Sequence, residues 1–205
     1  MTELNRALAE IAAIRGQVAR AVEFRGYGPA TVASTGVLAM LAAALQSRML
    51  KSPEHDVTTF LTIWTGTAAL AILVTGVETI TRTRRVHTGM AREMIHSALD
   101  HFLPAILAGI LVTAVLLRSA PQSAWMLPGL WQVLFSLGVF SSRAFLPRPT
   151  FAVGVWYLTT GLYCLAFGGG EHALAPWTMG VPFGIGQLLV AAVLSLGYQE
   201  RNERT

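Results

Sequence analysis

Charge is what this 205-residue chain lacks: Asp, Glu, Lys and Arg make up 13% of it, against 53% apolar residues. A soluble domain carries roughly 25% charge, so a water-facing surface is hard to assemble from this composition. Mean hydropathy is correspondingly positive, at +0.53. Cysteine is nearly absent too. With Cys164 alone, an intrachain disulfide is impossible. The alternation that a membrane β-barrel needs is also missing, because runs such as Val37–Leu45 and Leu188–Leu194 are continuously apolar.

Chemical signatures are equally sparse. The sequence has no H-E-x-x-H zinc helix and no G-x-S-x-G nucleophile elbow, and Ser34-Thr35-Gly36 lacks a flanking glycine. Five histidines, His55, His87, His96, His101 and His172, fall near span ends, with no facing pair to hold a haem iron. His96 and His101 would diverge on a helix. No cofactor, metal or catalytic residue is therefore expected. Met1–Arg25 is charged throughout and does not resemble a cleavable signal. No inverted repeat of the transporter kind stands out.

What the sequence does contain is a series of uncharged intervals: Arg25 to Arg48, Asp56 to Glu78, Asp100 to Arg118, Arg118 to Arg143, Arg148 to Glu171 and Glu171 to Glu200. A spanning helix needs about 20 apolar residues, and the interval after Asp100, which contains Pro104, is the shortest. The expected fold is an all-α membrane bundle of six transmembrane helices, near residues 30–48, 57–78, 102–118, 124–142, 150–168 and 177–198. Residues 1–25 precede the membrane domain 26–199, a cytoplasmic helical linker occupies 79–100, and 200–205 form a tail.

Positive charge gives the orientation. With the N-terminus inside, the cytoplasmic segments hold Arg6, Arg15, Arg20, Arg25, Arg82, Arg84, Arg85, Arg92, Arg143, Arg148, Arg201 and Arg204, and the opposite side holds Arg48, Lys51 and Arg118, a split of twelve against three. Short positive loops stay cytoplasmic, so both termini are expected inside. The net charge of +4 and pI near 9.8 then report topology, and nucleic acid is not an expected partner.

Two cytoplasmic elements follow. Residues 3–24 place Leu4, Leu8, Ile11, Val18 and Val22 at helical spacing, an amphipathic helix suited to a headgroup layer or to a docking or dimerisation partner. The linker 79–100 carries Arg82, Arg84, Arg85 and Arg92, which serve as a positive-inside anchor or meet anionic lipid or phosphate. Within the spans, Thr58, Thr62 and Thr65 share a face. With Gln46, Gln132, Gln187 and Glu78 they are candidates for a polar path, or for hydrogen-bonded packing between helices. Glu78 has Arg82 one turn later, the spacing of an interfacial ion pair. Glycines and Pro182 crowd the last three spans, which predicts close packing there and a kink near the outer end of the sixth.

Leu127-Pro128-Gly129-Leu130-Trp131, the turn from Phe140 to Arg148, Trp156-Tyr157 and the glycine-rich last span resemble a loose group of uncharacterised bacterial multi-pass integral membrane proteins; Phe24 to Pro29 extends the likeness. The resemblance implies a bacterial inner-membrane location and supplies no catalytic residues. Three functions fit the sequence. The first is a non-enzymatic scaffold, sensor or subunit, with the bilayer, a protein partner or a second copy engaged through the N-terminal helix or the last three spans. The second is a small-solute transporter or channel. The third is an interfacial lipid-acting enzyme using His87, Glu93, His96, Asp100 or His101.

Overall fold

The computed structural model describes residues 28–49, 56–85, 89–142 and 149–202. The expected amphipathic helix at 3–24 lies outside them. The chain runs through α1 (Pro29–Met49), α2 (Val57–Arg85), α3 (Gly89–Ser119), a 3-10 turn (Pro121–Met126), α4 (Leu127–Ser141), α5 (Thr150–Phe167), a second 3-10 turn (Gly170–His172) and α6 (Trp177–Asn202). The described residues form helices and connections, without strands. Six stretches are long and apolar enough to cross a membrane: Pro29–Met49, Val57–Thr81, Asp100–Ser119, Pro121–Ser141, Thr150–Phe167 and Trp177–Leu196. The protein is thus a multi-pass membrane protein by length and composition of its helices.

Local chemistry explains where the helices begin and end. Pro29 opens α1, where a missing N–H costs nothing. Asp56 precedes α2, and its Oδ1 accepts the Thr59 N–H at 2.9 Å, an N-cap. α5 stops at Gly168, whose N–H turns back to the Cys164 carbonyl at 2.7 Å. α2 continues to Arg85 and α3 starts at Gly89, so both helices extend past their apolar stretches toward the arginine-rich connection.

Apolarity does not decide which faces of these helices meet, since lipid is as oily as Leu; small residues do. A Cβ at Gly36 would sit 3.0 Å from the Gly184 carbonyl oxygen, so α1 and α6 touch backbone to backbone. The same holds for α4 and α5, where a Cβ at Gly129 would lie 2.7 Å from the Gly161 oxygen and one at Gly161 2.9 Å from that of Gly129. These two close pairs are joined through α5 and α6, while α2 leans on α1 and α3 on α4.

Aromatic rings fill the junctions. Phe135, Tyr157 and Phe183 tie α4, α5 and α6 together, with ring centroids 4.7 to 5.5 Å apart. Trp131 on α4 stacks on Phe60 of α2 at 6.0 Å and donates its indole N–H to Thr113 Oγ1 of α3 at 2.8 Å. One side chain thereby links the two outer helices to the centre. The apolar stretch of α3 nevertheless buries none of its residues, and that of α2 only 11%.

Candidate functional site

The polar residues of the spans separate into two groups. Thr58, Thr62 and Thr65 are exposed on the flank of α2, and the hydroxyls of Thr62 and Thr65 donate to the carbonyls of Thr58 and Leu61 at 2.8 and 2.6 Å. A hydroxyl bonded to its own helix is an economical way to face lipid. Gln46 and Gln132, by contrast, are fully buried. The structure does not bring the threonines and the buried glutamines onto a common surface.

Gln46 sits near the end of α1, beside the connection between α5 and α6. Its Oε1 accepts the Trp64 indole N–H at 2.7 Å, and its Nε2 donates to the Leu174 carbonyl at 2.6 Å. Leu174 itself is buried among Ala39, Ala42, Phe60, Trp64 and Met179, so the connection folds into the bundle instead of skirting it. The cost is visible in the backbone, because Leu174 has φ +56°, the left-handed region that a branched-chain residue avoids.

Gln132 holds the other side of the same region. Its Nε2 donates to the Thr178 carbonyl at 2.8 Å and lies 3.0 Å from the Pro128 carbonyl and 3.7 Å from Cys164 Sγ. The Thr178 carbonyl needs an outside donor because its helical partner four residues later is Pro182, which has no N–H. Gln132 supplies that donor across the helix interface. The carbonyl of Pro182 in turn accepts the Trp156 indole N–H at 3.0 Å. Two glutamines from opposite sides of the bundle therefore grip one short stretch, residues 174–178.

The remaining candidates are spread through the molecule. Gln187 is half-buried on α6, and its amide approaches the Tyr157 hydroxyl without closing a hydrogen bond. The Gln132 Oε1 and the Tyr157 hydroxyl are both buried and without a hydrogen-bond partner. Glu78 lies at the far end of α2, where its Oε2 accepts the Gly28 N–H at 3.3 Å and fastens the start of α1. Arg82, Arg84 and Arg85 belong to the last turn of α2 and Arg92 to the first turns of α3; their side chains lie outside the described residues.

Sequence reasoning passed over Trp64, Tyr157, Leu174 and Thr178. Thr178 had a signal, since it stands four residues before Pro182 and its carbonyl had to find another donor. Leu174 had none, because nothing in its identity announces a left-handed backbone. Among the described residues two shallow grooves are mostly apolar: one of about 440 Å³ between α1 and α2, lined by Leu38, Leu41, Leu45, Ile63, Thr67 and Leu70, and one of about 330 Å³ between α1 and α6. Among the described residues, no group of His, Cys, Asp and Glu is placed to hold a metal ion. Comparison with protein-family models, curated proteins and solved structures gives no match.

Proposed function

We propose that this chain is a non-enzymatic module of the bacterial inner membrane, with both termini in the cytoplasm. It acts as a scaffold, sensor or subunit that presents the N-terminal segment and the arginines at 82, 84, 85 and 92 to a partner or to anionic lipid. One observation carries this proposal: the two fully buried glutamines, Gln46 and Gln132, donate to backbone carbonyls of facing segments and brace the fold. Amide nitrogens used in this way are not free to bind a solute. The exposed apolar flanks of α2 and α3 leave room for lipid or a neighbouring subunit.

The test combines two measurements on the full chain. Liposomes containing the purified protein should show no solute flux above empty liposomes. Vesicles with anionic lipid should bind the wild type more tightly than a variant with Arg82, Arg84, Arg85 and Arg92 replaced by Gln, or a partner should cross-link to the cytoplasmic face of the wild type alone. Flux together with indifference to the four arginines would reverse the assignment.

A small-solute path has a single observation in its favour, the buried and unpartnered Gln132 Oε1 and Tyr157 hydroxyl. Such groups are costly in a dry interior. If a flux is found, Thr62→Val and Gln187→Leu separate the two locations. Thr62 faces outward and should leave the flux unchanged, while Gln187 beside Tyr157 should alter it.

A further inference from the structure

We propose that residues 168–176 form a hinged cap over one end of the bundle, held shut by Gln46 and Trp64, and that its opening admits water to Cys164 and Gln132. This goes beyond the scaffold assignment and does not depend on it. Gly170 and His172 are exposed, but residues 173–175 of this connection are buried, and a stretch whose backbone is withdrawn from water needs something to hold it. Internal hydrogen bonds are few: His172 N–H to Gly169 O at 3.4 Å, Ala173 N–H to Gly170 O at 3.0 Å and Ala175 N–H to His172 O at 3.1 Å. The outside hold comes from Gln46, which meets the Leu174 carbonyl at 2.6 Å, and from the Leu174 side chain in its pocket.

Two opposed terms act at Leu174. Its left-handed backbone, φ +56°, favours release, because almost any other conformation is less crowded for a Leu. The Gln46 bond and the buried side chain favour closure. Trp64 strengthens closure indirectly: by donating to Gln46 Oε1 at 2.7 Å it fixes which end of the amide faces Leu174. At one end of the segment Gly170 takes φ +64°, a conformation glycine enters freely, and at the other Pro176 precedes α6. A stretch with a free joint, internal strain and a removable latch is the construction of a two-position element. At its two ends lie Cys164, buried, whose carbonyl accepts the Gly168 N–H and whose Sγ is 3.8 Å from the Thr178 carbonyl, and Gln132, which donates to that same Thr178 carbonyl.

The single cysteine makes the motion measurable. Full-length protein in liposomes is treated with a charged, water-soluble thiosulfonate, and the rate of Cys164 modification is followed by mass spectrometry. Gln46→Leu should raise the rate about tenfold over wild type, the factor expected from losing one or two hydrogen bonds. Trp64→Phe, which keeps an aromatic ring in the core, should raise it by a smaller factor. Gly138→Ala serves as the control, because its Cβ would press on the Phe102 ring at 2.6 Å, near the opposite end of α4. It weakens the bundle without touching the cap, and should leave the rate at the wild-type value. An unchanged rate in both latch variants overturns the proposal, and so does an equal rise in Gly138→Ala.

Discussion

The indole of Trp64 donates to the side-chain oxygen of Gln46 at 2.7 Å, and this sets the direction of the whole amide. With its oxygen committed to α2, the amide nitrogen can only point at the Leu174 carbonyl. Gln46→Leu would strand an indole N–H and a backbone carbonyl in the interior, at about 1–3 kcal/mol for each. The expected result is a lower melting temperature in detergent or lipid, with Trp64→Phe less damaging because only the Gln46 oxygen loses its partner. A thermal shift in Gln46→Leu no larger than that of a surface substitution would contradict this.

Gln132 and Pro182 should prove to be energetically coupled. Gln132→Leu leaves the Thr178 carbonyl with only the weak Cys164 thiol donor at 3.8 Å, at about 1–3 kcal/mol. Pro182→Ala restores a helical N–H four residues on, so Gln132→Leu should cost less in that background. A double-mutant cycle read by thermal or chemical unfolding measures the difference, and strictly additive effects would show that the proline does not create the need for the glutamine.

Glycines in this bundle should differ sharply in their tolerance of a methyl group. Gly129→Ala and Gly161→Ala bring a Cβ within 2.7 and 2.9 Å of a facing backbone oxygen, where neither helix can yield without moving, and a loss of about 1–3 kcal/mol is expected. A Cβ at Gly66 or Gly76 meets nothing within 4 Å, so alanine there should be neutral or add up to about 1 kcal/mol from helix propensity. Unfolding of the four variants in the same lipid mixture checks the ranking.

Asp56 gives the expected pH dependence. Thr59, through its backbone N–H first and its hydroxyl second, holds the Asp56 carboxyl below its ordinary value of 3.8. A depressed carboxylate stabilises the fold above the unfolded-state value and loses that contribution as pH falls through the folded-state value. Asp56→Asn should therefore lie below wild type in melting temperature near neutral pH, and the gap should close at pH values under about 3.8. A gap that persists in acid would show that charge plays no part.

Six helices were legible because charge-free intervals must match a bilayer, and the described residues include six helices of that kind. The close approach of the last helices was legible from glycine spacing, as Gly129 with Gly161 shows; the participation of α1 through Gly36 was not, since one glycine in an alanine-rich helix carries no direction. Glutamine identity pointed to interhelical bonding, yet the partners were hidden. They are the backbone carbonyls of Leu174, in a turn, and of Thr178, in the first turn of α6, and which carbonyl lies opposite a side chain is decided by how helices rotate, which hydropathy does not encode. The threonine face misleads for a related reason: a polar stripe is ordinarily turned inward, but threonine quiets its own hydroxyl and can be left facing oil.

The poorly embraced third helix has an evolutionary corollary. Leu103, Leu107, Ile110, Leu111 and Val115 are half or more exposed, so the only demand on them is to remain greasy. Trp131 and Thr113, whose side chains bond that helix to the centre at membrane depth, face a stricter filter. In relatives of this chain the former positions should drift among Leu, Ile, Val and Phe almost at random, while the latter two should change together or not at all.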